Sequence, residues 1–289
     1  MIIRKLGLSA LALFLTFFNT INAQSTIKAV IYDYHGVLSK IDNLGVAGEI
    51  GFFNTVFYHL FDTKQHEGLE DRLLQTLEAL GGTQVPRDGH IVRNGHLKAL
   101  PQLMCRWMDG SFDPMAEKPT IMTDLKKLYD NKFFKNKREY HVMRNLITCM
   151  FFEPHRLNKH KQPIKEMIAM ASAIKKQGKC QQFLLSNIDA LGFKDLLKIE
   201  MGATLKSVID EKNLFTSADI GYNKPHPNAY QHILKVHGLK ASECVFIDDQ
   251  LENVKAARDL GMIGIHVQDK NYKRVRKQLK VLGVLKKKY

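Results

Sequence analysis

Ile27-Lys28-Ala29-Val30-Ile31-Tyr32-Asp33-Tyr34-His35-Gly36-Val37-Leu38 is the stretch whose reading decides the fold. The apolar run Ile27 to Tyr32 has the length and composition of a buried strand, and it delivers a carboxylate, Asp33, directly into a glycine turn. A carboxylate in that place is a candidate nucleophile or metal ligand. His35 lies two residues on.

Four further short apolar runs follow: Gln182 to Leu185, Leu214 to Thr216, Val245 to Ile247 and Ile263 to Val267. Helical periodicity lies between most of them. Ile164, Met167, Ile168 and Ala171 mark one helix; Ala229, Ile233, Leu234 and His237 mark another that stops at Gly238. Strands alternating with helices predict an α/β fold, a Rossmann-like doubly wound parallel sheet covered on both faces. Ligands of such sheets bind beyond the carboxyl ends of the strands.

Between Leu38 and Ile164 the pattern is helical alone. Stripes run through Phe53, Val56, Phe57 and Leu60; through Leu69, Leu73, Leu77 and Leu80; and through Leu100, Leu103, Met104 and Trp107, opened near Pro101. Two more follow, Ile121, Leu125 and Leu128, opened by Pro119, and Met143, Leu146, Ile147 and Met150. The sequence therefore predicts an all-helical cap domain over residues 43–161, inserted into a core made of residues 24–42 and 162–289. The Met and aromatic stripes are the core of that cap.

The first 23 residues read as a signal peptide. Arg4 and Lys5 precede the apolar stretch Leu6 to Phe18, and a polar segment ends at the small Ala23. That apolar stretch is too short to span a bilayer, which takes roughly 20 residues. The expectation is export, to the periplasm or outside the cell, with no stable membrane insertion once the signal is cut.

With 43 Lys+Arg against 29 Asp+Glu, the formal net charge is +14, which favours anionic partners. The basic runs, such as Lys132 to Arg138 and the tail from Lys270, are not interleaved with aromatics on a nucleic-acid-binding module, so nucleic acid is not the expected partner. Four cysteines are too sparse for a disulfide scaffold and show no zinc spacing. Cys105 and Cys149 are a candidate pair within the insertion; Cys180 and Cys244 precede strands expected to be separated by the Asp33 strand.

Four separated pieces converge on one sheet edge: Asp33 with Gly36; Ser186-Asn187 after the second core run; Lys224-Pro225 in Gly221 to Pro227; and Asp248-Asp249 after Val245 to Ile247. Each alone is weak. In this order they resemble the four motifs of the haloacid dehalogenase-like hydrolases, whose first motif usually reads Asp-x-Asp-Gly, and the helical insertion resembles that family's type 1 caps. Here the second Asp is His35, and the later motifs are similar to the branch of sugar-phosphate phosphatases that also lacks it.

The resemblance implies a hydrolase, a Mg²⁺-dependent phosphomonoesterase acting on a small phosphorylated metabolite. Asp33 would attack phosphorus and form an aspartyl-phosphate, with Lys224 offsetting charge, and His35 either carries the proton or contributes only its backbone carbonyl while its side chain fills the cap interface. Ser186, Asn187 and Lys224 would bind the phosphoryl group. Asp33, the His35 backbone carbonyl, Asp248 and Asp249 would hold the hard Mg²⁺ ion. The changed helper leaves two alternatives: a metal-independent 2-haloacid dehalogenase, against which the Asp248-Asp249 pair argues, and a catalytically weak fold kept for binding. From sequence the sign of the His35 pKa shift is open, because carboxylates and a metal ion push it in opposite directions.

Overall fold

The computed structural model describes residues 26–57 and 68–286. The signal segment, Leu60 and the side chains of Phe53, Val56 and Phe57 lie outside the described residues. Among those described, five strands form one parallel sheet: β1 (Ala29–Tyr32), β4 (Gln181–Ser186), β5 (Leu214–Thr216), β6 (Cys244–Asp248) and β7 (Ile263–His266). Their order is β5-β4-β1-β6-β7, so β1 is central. Two short strands, β2 (Ser39–Ile41) and β3 (Lys161–Pro163), make an antiparallel ribbon beside the sheet.

All four residues of β1 are fully buried, as a strand covered on both faces requires. Alternate residues serve opposite layers. Val30 and Tyr32 join Leu184, Val245 and Ile247 under the helices Lys165–Gln177, Glu200–Val208 and Tyr272–Val281. Ala29 and Ile31 join Phe183, Leu185 and Phe246 under Pro227–His237 and Leu251–Asp259. Tyr32 ends in a buried hydrogen bond, its hydroxyl donating to Gln182 Oε1 at 2.7 Å.

The chain leaves the core through β2 and returns through β3. Between them stand the helices Asn43–Phe57, Leu69–Gly81, Gln102–Met108, Pro114–Asp130 and Lys137–Ile147, then a π-helical turn Thr148–Phe152 and the short helix His155–Asn158. They share a separate apolar cluster that includes Leu77, Leu103, Leu125, Val142 and Phe151. One buried ion pair, Arg72 to Glu139 at 2.7 Å, ties the second of these helices to the fifth.

Three expectations need correction. Pro119 does not open a helix: the helix begins at Pro114, where the Asp113 carboxylate caps the amides of Met115 and Ala116, and Pro119 lies inside it. The stripe through Met143 and Leu146 changes at Thr148 from an α-helix to a π-turn that carries Met150. Cys105 and Cys149 are both free thiols, as are Cys180, which precedes β4, and Cys244, which opens β6 rather than preceding it, and β1 lies between those two strands. No helix among the described residues is long and apolar enough to cross a membrane.

Candidate active site

Tyr32 pairs with Leu184 of β4 on one side and Ile247 of β6 on the other. Asp33, Ser186 and Asp248 therefore emerge together at the carboxyl end of three adjacent parallel strands. The chain passes from β1 to β4 and β5 on one side, then crosses to β6 on the other, which opens a crevice at the switch.

Lys224 reaches this crevice from the loop after β5. Its ammonium donates to Asp33 Oδ1 at 2.6 Å and to Asp248 Oδ2 at 2.7 Å, and the side chain is 1% exposed. Burial opposes its charge, but Asp248 and Asp33 overcome that and hold its pKa above the ordinary lysine value. The loop is held in place by Asn187: the Lys224 amide donates to Asn187 Oδ1 at 2.8 Å, and Asn187 Nδ2 donates to the Lys224 carbonyl at 2.9 Å. The Lys224–Pro225 peptide is cis.

Asp33, Asp248 and Asp249 each offer an oxygen, and these atoms lie within 4.8 Å of one another. Burial, then the Asp33 charge, pushes the Asp249 carboxyl up to about 7; burial pushes Asp248 up to about 6 against the pull of Lys224. Lys224 thus leaves the cluster short of positive charge. Besides Lys224, Asp248 is fixed by two partners, the Gln250 amide at 2.7 Å and Asn253 Nδ2 at 3.1 Å. Three hard carboxylates so arranged fit a divalent cation that prefers oxygen.

Gly36 makes the close approach to Asp249 possible. Its φ is +79°, and a Cβ there would lie 2.0 Å from Asp249 Oδ2. The His35 ring beside it is exposed. Desolvation by the surrounding protein, then the cations Lys161 and Lys270, push its pKa below the ordinary histidine value. Ser186 is buried at the end of β4.

Sequence reading brought Asp33, Ser186, Lys224, Asp248 and Asp249 to one edge, and all five are there. It gave Asn187 to the phosphoryl group, whereas its amide is engaged on both sides by the Lys224 backbone. It missed the role of Asn253, although its place five residues after Asp248, on the next helix, is the available signal. It also missed that segment 84–110 of the helical insertion lies against the Lys224 loop. The Arg87 guanidinium stands 3.7 Å from the Tyr222 ring centroid and donates to the Gly221 carbonyl. Asp88 faces His226 at 3.2 Å, Asn223 Nδ2 donates to the Cys105 carbonyl at 3.0 Å, and Ser217 Oγ donates to that of Met108 at 2.6 Å.

Curated proteins similar to parts of the chain include a sesquiterpene phosphatase of Aspergillus oryzae, 34% identical over 108 residues, which is 37% of this chain and 52% of the relative. A glyceraldehyde 3-phosphate phosphatase of Methanocaldococcus jannaschii is 37% identical over 62 residues, 21% of this chain and 27% of the relative. Bifunctional epoxide hydrolase 2 of Rattus norvegicus is 35% identical over 106 residues, 36% of this chain and 19% of the relative. The chain thus spans about half or less of the length of these relatives. Among solved structures, a haloacid dehalogenase family enzyme from Bacteroides thetaiotaomicron superposes with a TM-score of 0.55 at 14% identity, covering 87% of this chain and 99% of that one. The profile of haloacid dehalogenase-like hydrolases matches residues 27–261, which takes in the Asp33 strand, the whole helical insertion and the Asp248-Asp249 edge. A match over so much of the chain, together with the parallel sheet and its carboxylate edge, makes this protein a member of the haloacid dehalogenase-like hydrolase family.

Proposed function

We propose that the chain is a Mg²⁺-dependent phosphomonoesterase that acts on a small phosphorylated metabolite through an aspartyl-phosphate on Asp33. The observation that carries this reading is the bridge of Lys224 between Asp33 and Asp248, with Asp249 alongside. Two of the similar curated proteins are phosphatases, which supports it.

Lys224 occupies Asp33 Oδ1 and leaves Oδ2 with no hydrogen bond among the described residues, so Oδ2 is the attacking oxygen. It forms a bond to phosphorus as the ester P–O bond breaks, and the leaving oxygen takes up a proton from water. Lys224 and the Ser186 hydroxyl meet phosphoryl oxygens; Asn187 acts through the Lys224 backbone. In the second step water attacks phosphorus, its proton passes to a base, and Asp33 departs as carboxylate. We assign that base to the His35 ring, whose pKa lies below the ordinary histidine value. Asp33, Asp248, Asp249 and the His35 carbonyl would hold Mg²⁺, which when bound supplies charge stabilisation to the phosphoryl oxygens. Residues 43–161 act as the cap that closes over the substrate, and residues 1–23 direct export.

The test is hydrolysis of p-nitrophenyl phosphate by the purified chain, expected with Mg²⁺, absent with chelator, and absent in Asp33→Asn. Metal-independent halide release from 2-chloropropionate would replace this reading with a dehalogenase. His35→Gly assigns the proton carrier: a slower rate with an altered pH profile gives the role to the ring, and an unchanged profile leaves only the carbonyl.

A further inference from the structure

An open cleft of about 820 Å³ lies beside the Asp33 turn, within the size range of small-molecule sites. Its lining includes Lys40, Lys159, Lys161, Lys165, Lys270 and Tyr272. One wall leads to the carboxylate cluster. The Tyr272 hydroxyl reaches the Gly36 carbonyl at 3.5 Å, and Gly36 is the residue pressed against Asp249.

Five lysines face two acids here, Glu166 and Glu200. Lys159 is neutralised by Glu49 at 2.7 Å. Lys40, Lys161, Lys165 and Lys270 have no carboxylate within ion-pair distance among the described residues. Lys161 is half-buried, and its ammonium lies 5.2 Å from the centroid of the Tyr34 ring, next to the nucleophile. Burial pushes its pKa down to about 8, with Asp189 only partly opposing. A crowded, unpaired ammonium is costly, and an anion brought to it gains a charge-assisted hydrogen bond while relieving that cost.

We propose that the substrate carries a second anionic group, a phosphate or carboxylate remote from the scissile ester, and that Lys161, flanked by Lys270, binds it as the specificity-determining residue. This rests on the phosphomonoesterase reading for the end of the substrate that meets Asp33. The second anion lies in the cleft on the Tyr272 side, and its attraction orients the ester toward the carboxylates.

The test compares fructose 1,6-bisphosphate with fructose 6-phosphate, and both with p-nitrophenyl phosphate, using the full chain with Mg²⁺. The expected result is a kcat/KM roughly tenfold higher for the bisphosphate, expressed in KM. In Lys161→Gln that ratio falls toward one, and Lys161→Arg restores it; thermal melts confirm that the variants fold. Turnover of p-nitrophenyl phosphate without any preference for the bisphosphate overturns the second-anion proposal and leaves the phosphatase reading intact. If no phosphoester is hydrolysed, that reading fails, and the cleft is judged by calorimetric binding of fructose 1,6-bisphosphate to Asp33→Asn. Binding at least tenfold weaker when Lys161→Gln is added supports the proposal; equal affinity, or no binding, overturns it.

Discussion

Asn187 and Lys224 hold each other backbone to side chain, the Asn187 amide accepting from the Lys224 N–H and donating to its carbonyl. The pair fixes the root of the lysine rather than its charge. Asn187→Ala should lower kcat by roughly ten- to a hundredfold with little change in KM, since about 1.4 kcal/mol of lost positioning is one factor of ten. Its two freed backbone groups should cost about 1–3 kcal/mol of stability. Steady-state kinetics and urea unfolding check both; a KM effect alone would mean that Asn187 touches the substrate.

Lys224→Met removes the ammonium from between Asp33 and Asp248. Breaking a buried ion pair on one side costs about 3–5 kcal/mol, because the remaining charges lose their partner. Activity should fall to background and the unfolding midpoint should drop sharply. Adding Asp248→Asn should recover part of the stability and none of the activity. Stability unaffected by Lys224→Met would show that water enters the cluster freely.

Gly36→Ala asks an L-residue to adopt φ +79° and places a methyl 2.0 Å from Asp249 Oδ2. The left-handed backbone alone costs roughly 1–2 kcal/mol. Asp249 must also move, so thermal stabilisation by added Mg²⁺ should shrink along with activity. Differential scanning of the metal-free chain with and without Mg²⁺ reads this directly.

The contacts of Arg87 and Asp88 with the Gly221–His226 loop bring a segment of the helical insertion against the loop that carries Lys224. Arg87→Ala combined with Asp88→Asn should reduce kcat several-fold for every phosphoester alike, whatever its leaving group. A loss confined to one substrate would make these specificity residues.

Glu49, on the first cap helix, meets Lys159 at 2.7 Å, His160 at 3.2 Å and Arg156 at 3.2 Å on the returning segment. The Lys159 hydrogen bond leads these in drawing the Glu49 pKa from 4.5 down to about 2. A carboxylate whose folded pKa is depressed contributes stability that is complete above its unfolded value and lost as pH falls to the folded one. The difference in melting temperature between the parent and Glu49→Gln should therefore be constant above pH 4.5 and shrink between pH 4.5 and 2. A difference independent of pH in that window would rule out this linkage.

The strands and their carboxyl-end chemistry were legible because each combines a local apolar run with an immediately following polar residue: Tyr32-Asp33, Leu185-Ser186, Ile247-Asp248. The β2–β3 ribbon was not, since Ser39–Ile41 and Lys161–Pro163 are three residues each and mostly polar. The helix start at Pro114 was obscured by Pro119, whose side chain looks the same in a sequence whether it opens a helix or interrupts one. The Arg87 contact was illegible for another reason: it joins residues 134 positions apart through a segment without periodicity. Likewise, the dual hold on Asn187 depends on a loop path that no local spacing encodes.

The hydrogen bond between Asp33 and Lys224 closes over 191 positions of chain. During synthesis Asp33 is therefore made early, and the groups that surround it come late. β6 supplies a neighbour of β1 together with Asp248 and Asp249, so a nascent chain lacking it has Asp33 without its assembled surroundings. On refolding, recovery of hydrolysis would report the docking of this late strand rather than collapse of the helical insertion, making enzyme activity itself a clock for completion of the sheet.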